Sequence, residues 1–209
     1  MKKSRKKLII ILSVVFGVII AFVIFAYIYV MNPFNIGIDP LTLQSGQSES
    51  GKRLEISFTY SKQRMIASSQ YAFWIEDMDG NYINTIYVTG WTAQGGFTYR
   101  PHTIPLWVSV AKPGDKSSPE IDTISGATPS SGDYKMVWDF TDRNGNPVIE
   151  TQLRYFIEGT MNNEDNVLFS GVITIGNESW SDSPTPEFTI PNSEYKNMLT
   201  NVKLEFFPG

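Results

Sequence analysis

YKMVWDF, residues 134–140, puts Tyr134, Met136, Trp138 and Phe140 on one side of an extended chain and Lys135, Val137 and Asp139 on the other. Successive side chains of a β-strand point to opposite faces, so this alternation describes a strand with one buried face. The letters that follow, DRNGN (142–146), supply a turn. Asn-Gly favours the positive φ angles of a tight hairpin, and Asp and Asn side chains bond their own backbone. A strand running into such a turn is the repeating unit of an all-β domain.

The same reading extends outward. Leu54, Ile56, Phe58 and Tyr60 alternate in RLEISFTY (53–60), Thr151, Leu153, Tyr155 and Ile157 in TQLRYFI (151–157), and Val202, Leu204 and Phe206 near the C-terminus. Stretches 71–75, 82–88 and 167–175 are further strand candidates, rich in β-branched and aromatic residues. A second turn, DMDGN (77–81), follows Trp74 much as DRNGN follows Trp138. The Asp/Asn spacing of both also resembles the start of a calcium loop. The twelfth position counted from Asp77 is Val88, where such a loop needs a bidentate Glu, so both are read as hairpin turns. Seven short strands with turns between them predict an immunoglobulin-like β-sandwich over residues 52–209.

Upstream, residues 1–7 are a basic tail and 8–30 an uncharged apolar run of 23 residues. At about 1.5 Å per residue, a helix of that length spans roughly 35 Å, enough for a hydrocarbon core of about 30 Å. The run closes on Tyr27, Tyr29 and Pro33 without a small-residue cleavage site, which favours an uncleaved transmembrane anchor over a secretory signal. Basic residues stay cytoplasmic, so the sandwich is expected outside the membrane. Residues 31–51, ending in QSGQSESG, read as a stalk. Five of the 17 Lys and Arg lie in the basic tail, leaving 12 against 21 Asp and Glu, a balance of −9 that argues against a nucleic-acid partner.

Catalytic chemistry finds few residues to use. Cysteine is absent, which excludes disulfides, thiolate metal sites and a lipid-modified cysteine, and His102 is the only histidine. No nucleophile elbow and no phosphate-binding glycine loop occurs. The segment 91–121, WTAQGGFTYRPHTIPLWVSVAKPGDKSSPEI, fits a sandwich least well. It is too long and too broken for a hairpin loop, and long loops in compact domains often carry function. Trp91, Tyr99 and Trp107 are its candidate ligand-stacking residues. The structural alternative is that its aromatics cap one end of the sandwich core.

That segment runs into DTISGATPSSG (122–132). Asp122, Ser125, Gly126, Ala127 and Thr128 in this stretch resemble the acceptor site of covalently attached flavin mononucleotide (FMN) in bacterial extracytoplasmic flavoproteins. The resemblance implies a phosphoester on the Thr128 hydroxyl. Pro129 and the strand at 134 depart from that pattern, where a helix is expected. From 71 to 207 the chain also resembles DUF2271, a family of predicted periplasmic proteins, through YAFWIEDMDGNYINTIYV, the PLW segment, DTISGATPSSG, YKMVWDFTDRNGNPV, RYFIEGTMNNED and VLFSGVITIG. GDYKMVWDFTDRNGNPV is in addition similar to the immunoglobulin-like part of flagellar hook-capping proteins. These resemblances imply a sandwich in an extracytoplasmic setting and an association with redox or metal-uptake systems. The expectation is a membrane-anchored, non-enzymatic binding or accessory module of the bacterial envelope, without cofactor or metal, whose partner is another envelope protein or such a complex. The alternative is an electron carrier with FMN on Thr128.

Overall fold

The computed structural model describes residues 41–45, 51–63, 68–162 and 164–209. The expected tail, the anchor and most of the stalk lie outside the described residues. Among those described, no helix is long and apolar enough to cross a membrane.

Each of the seven expected strands forms, and four short ones join them: β1 (Leu41–Ser45), β2 (Arg53–Tyr60), β3 (Gln70–Glu76), β4 (Tyr82–Thr89), β5 (Ser125–Gly126), β6 (Gly132–Trp138), β7 (Gln152–Asn162), β8 (Asp165–Thr174), β9 (Trp180–Asp182), β10 (Glu187–Phe188) and β11 (Leu199–Phe207). They build two sheets in a sandwich-like arrangement, one in the order β1-β6-β2-β11-β9 and the other β10-β8-β7-β3-β4-β5. Neighbours pair antiparallel except β1 with β6 and β4 with β5. β1 falls inside the expected stalk, so that part of the stalk range belongs to the first sheet instead.

The period-two pattern explains the core between the sheets. Leu54, Ile56, Phe58 and Tyr60 of β2 and Tyr134, Met136 and Trp138 of β6 are buried, while the residues between them are not. They meet Tyr71, Phe73 and Ile75 of β3 and Leu153, Tyr155 and Ile157 of β7. Both turns close with the expected geometry, but only the first makes a hairpin of paired strands, β3 and β4; the second, closed by a single bridge between Thr141 and Pro147, carries the chain from β6 in one sheet to β7 in the other. Asp77 accepts the backbone N–H groups of Asp79 and Asn81 at 2.9 and 2.8 Å, and Asp142 accepts those of Asn144 and Asn146, both at 2.8 Å. Gly80 and Gly145 take the positive φ these turns require, 87° and 80°. Bonds from Asn81, through its side chain and then its backbone, hold the Asp77 carboxyl below the usual range, and the Asn146 N–H does most to lower Asp142.

β3 breaks the alternation, because all seven of its residues are buried. Ala72 and Trp74 point away from the sandwich core into a second apolar cluster with Val88, Ile104, Trp107 and Ile121. Segment 91–121 makes that cluster, so its aromatics do not simply cap an end of the sandwich: the segment lies over the outer face of the second sheet. Three short helices shape it: α1 (Gly90–Ala93), α2 (Pro105–Ala111) and α3 (Ser118–Ile124). Pro105 opens α2, where its missing N–H costs nothing. Glu120 caps α3 by accepting both the N–H and the hydroxyl of Ser117, at 2.9 and 2.7 Å.

Polar pins fix this layer to the sheet. Thr160 on β7 accepts the Ile104 N–H at 2.6 Å, and the neighbouring Glu158 accepts those of Leu106 and Trp107 at 3.2 and 2.9 Å. The Trp107 indole N–H donates to Thr85 at 2.9 Å. Ile104 adopts φ of 40°, unfavourable for a β-branched residue, and is held there by full burial and the Thr160 bond.

Burial pushes the Glu158 carboxyl up to about 7, although the two N–H donors pull it down. Its folded value therefore lies above its unfolded one, so its contribution to stability is complete below about pH 4.5 and is lost as pH rises through 7. Between pH 5 and 8 the protein is expected to lose roughly 3 kcal/mol of stability relative to Glu158→Gln, an order-of-magnitude figure. Thermal or urea unfolding of the two proteins across that range checks this, and parallel pH profiles would contradict it.

Candidate functional site

The helical layer has to return its chain to the first sheet, and DTISGATPSSG is the return path. Asp122 sits on α3, Ser125 and Gly126 form β5 alongside Val88 and Thr89, and Gly132 opens β6 in the opposite sheet. The candidate FMN acceptor is therefore a crossover between layers.

Its small residues have local reasons. A Cβ on Gly126 would lie 2.9 Å from the ring and hydroxyl of Tyr87, and one on Gly90 would lie 3.2 Å from the Gly126 carbonyl. Two glycines thus allow the start of α1 and the edge strand to approach each other. The Tyr87 hydroxyl donates to the Ala127 carbonyl at 2.8 Å, the Tyr134 hydroxyl to the Ser130 carbonyl at 2.6 Å, and the Lys62 N–H to the Ser131 hydroxyl at 2.8 Å. The loop is thereby fastened on both sides of Thr128. Thr128 itself is half-buried, and its hydroxyl makes no hydrogen bond among the described residues. Asp122 and Ala127 are exposed and Ser125 is half-buried.

Beneath the loop stand four tyrosines. The Tyr71 ring lies 5.5 Å from Tyr60 and 5.7 Å from Tyr87, and Tyr134 packs on Phe58. The hydroxyls of Tyr60 and Tyr71 are buried without a partner among the described residues. Burial pushes Tyr87 up to about 12 and Tyr71 higher, so both are neutral phenols at physiological pH.

The three candidate stacking residues do not share a face. Trp107 is fully buried under the helical layer and is closed to any ligand. Tyr99 is 85% exposed, and Trp91 is 41% exposed and follows Gly90, whose backbone abuts the crossover at Gly126. The Arg100 guanidinium lies over the Trp91 ring at 5.2 Å and donates to the Ser68 carbonyl at 3.2 Å. Reading the sequence did not single out Arg100 or Tyr87, since only the fold brings them to the motif. His102 is paired with Glu164 at 3.3 Å on the surface.

Two clefts flank the layer. One of about 320 Å³ is lined by Gln94, Phe97, Lys116, Ile121 and Asp122, so it includes the first residue of the motif. A larger one of about 640 Å³ lies between the helical layer and the second turn, lined in part by Lys112, Lys116, Glu120 and Arg143. Among the described residues, no three His, Cys, Asp or Glu side chains are grouped to hold a metal ion.

A family model, DUF2271, described as predicted periplasmic protein, matches residues 52–187 and gives the domain an extracytoplasmic setting. No curated protein and no solved structure matches the chain.

The packing separates the motif's structural residues from Thr128. Gly126→Ala is expected to cost about 1–3 kcal/mol through overpacking against Tyr87. Thr128→Ala is expected to stay within about 0.5 kcal/mol of wild type. Urea unfolding measures both, and equal losses would contradict the division of roles.

Proposed function

The chain belongs to the DUF2271 family, whose description gives an extracytoplasmic setting, and we propose that it is a non-catalytic module on the outer side of a bacterial membrane, carrying FMN on Thr128 in the service of an envelope redox complex. The observation that carries this reading is the Thr128 hydroxyl, which makes no hydrogen bond among the described residues and sits in a loop fastened on both sides. Gly126 and Ala127 are held by the fold through Tyr87, whereas the Ser125 side chain, like that of Thr128, makes no hydrogen bond among the described residues. The apolar run at 8–30 would hold the module at the membrane. We read the two sheets as an immunoglobulin-like sandwich.

Attachment requires a flavin transferase and a flavin adenine dinucleotide donor. The Thr128 oxygen bonds to the FMN phosphorus, the pyrophosphate bond breaks, AMP leaves, and the hydroxyl proton is released. FMN, once bound, supplies the capacity to take up and give back electrons. The residues of this chain hold the acceptor: Gly126 keeps the strand edge against Tyr87, and Ala127 and Ser130 accept the tyrosine hydroxyls that fix the loop. The acceptor thus stands on rigid support with its oxygen free of hydrogen bonds among the described residues, an arrangement that fits a phosphoester.

A second reading, an accessory module that docks on an envelope protein without flavin, is favoured by one surface feature. A shallow, mostly apolar cleft of about 310 Å³ is lined by Pro105, Leu106, Val167, Leu168 and Phe188, with Leu106 47% exposed.

Co-expression with an extracytoplasmic flavin transferase separates the two. Intact mass is expected to rise by one FMN in the wild type and not in Thr128→Ala. An unchanged wild-type mass would remove the flavin and leave the docking module.

A further inference from the structure

We infer that the Trp91–Arg100 pair is the surface on which the isoalloxazine ring of a Thr128-linked FMN rests, an inference that itself rests on the attachment reading. Trp91 is a large aromatic on a helix of four residues, yet it is 41% exposed while Trp74 and Trp107 are buried. The fold does not use it as a core anchor. Its ring is nevertheless held, because Gly96 leaves no room for a side chain against it and Arg100 covers it at 5.2 Å. The Arg100 guanidinium is in turn tied to the Ser68 carbonyl at 3.2 Å. A fixed, partly exposed indole suits a flat, electron-poor ring system, and the planar guanidinium beside it can stack on an aromatic face as well as carry charge.

The pair also lies within reach. Gly90, the residue before Trp91, abuts the Gly126 backbone. Thr128 is two residues beyond Gly126, at most roughly 7 Å along an extended chain. Trp91 stands further off by the Gly90–Gly126 approach and the length of its own side chain, and the ribityl phosphate arm together with the long isoalloxazine ring covers that separation. Against an acidic background of −9 outside the basic tail, Arg100 places a positive charge where the ring would lie. Reduction adds negative charge to the ring, so a cation at this position favours the reduced form. Tyr99 is more exposed than Trp91, but among the described residues no ring contact or hydrogen bond holds its side chain in one orientation.

The test uses the full chain loaded by a flavin transferase, with intact mass confirming attachment in every variant. Stacking quenches flavin emission, so fluorescence per attached flavin is expected to rise several-fold in Trp91→Leu over wild type. Arg100→Gln is expected to move the flavin midpoint potential to a more negative value. Full loading with the same emission in wild type and Trp91→Leu overturns the platform and leaves attachment standing. An unmoved potential in Arg100→Gln removes Arg100 from it. Absence of any mass gain in wild type overturns attachment and platform together.

Discussion

Strand β3 is buried on both faces, and most of the molecule's departures from a plain sandwich follow from that. Tyr71, Phe73 and Ile75 serve the core between the sheets, while Ala72 and Trp74 present a second apolar surface on the outer side. An open sheet exposing Trp74, Val88 and Phe156 to water would forfeit about 1.5–3 kcal/mol for each large side chain left uncovered. The chain meets this by leaving β4 and laying residues 90–124 across the outer face. Backbone donors of that layer that would be stranded at the buried start of α2 find Thr160 and Glu158. A carboxyl group is thus held inside the protein because it caps donors there.

The location of the candidate site is a consequence of this cover. A segment that has crossed to the outer face of one sheet must come back to the other, and it does so along the motif. Gly126 and Ala127 are explained by the approach to Tyr87, without any reference to a ligand. Thr128 is not explained in that way, and neither is the exposure of Trp91. Trp91 follows Gly90 and Thr128 lies two residues beyond Gly126, the two glycines whose backbones meet.

Strands β2, β6, β7 and β11 were legible because each alternates over at least five residues, and the turns because Asp-Gly and Asn-Gly carry their own geometry. The helical layer was not legible as helices, since none exceeds seven residues and a period of 3.6 cannot declare itself in two turns. One sign of it was present in the letters: Ser117 followed by Glu120 is a capping-box pair. Another was the run Tyr71-Ala72-Phe73-Trp74-Ile75, which has no polar face and so demands cover on both sides. Nothing in the sequence distinguished Trp91 from Trp107, although one is half exposed and the other sealed beneath α2. That difference is set by which face of the layer meets the sheet. The stalk at 31–51 was read from polar composition, which did not reveal that 41–45 pairs with β6. Parallel pairing depends on a partner about ninety residues away, and local composition does not report it.

Thr128 is one of five hydroxyl-bearing residues between 122 and 132, with Thr123, Ser125, Ser130 and Ser131. Fragmentation mass spectrometry of the proteolytic peptide spanning 122–132, taken from transferase-treated protein, identifies which oxygen carries the group. The account predicts FMN on Thr128 and on no other residue of the peptide. FMN on Ser125, Ser130 or Ser131, or a peptide left unmodified while the transferase loads an established acceptor in the same preparation, would contradict it.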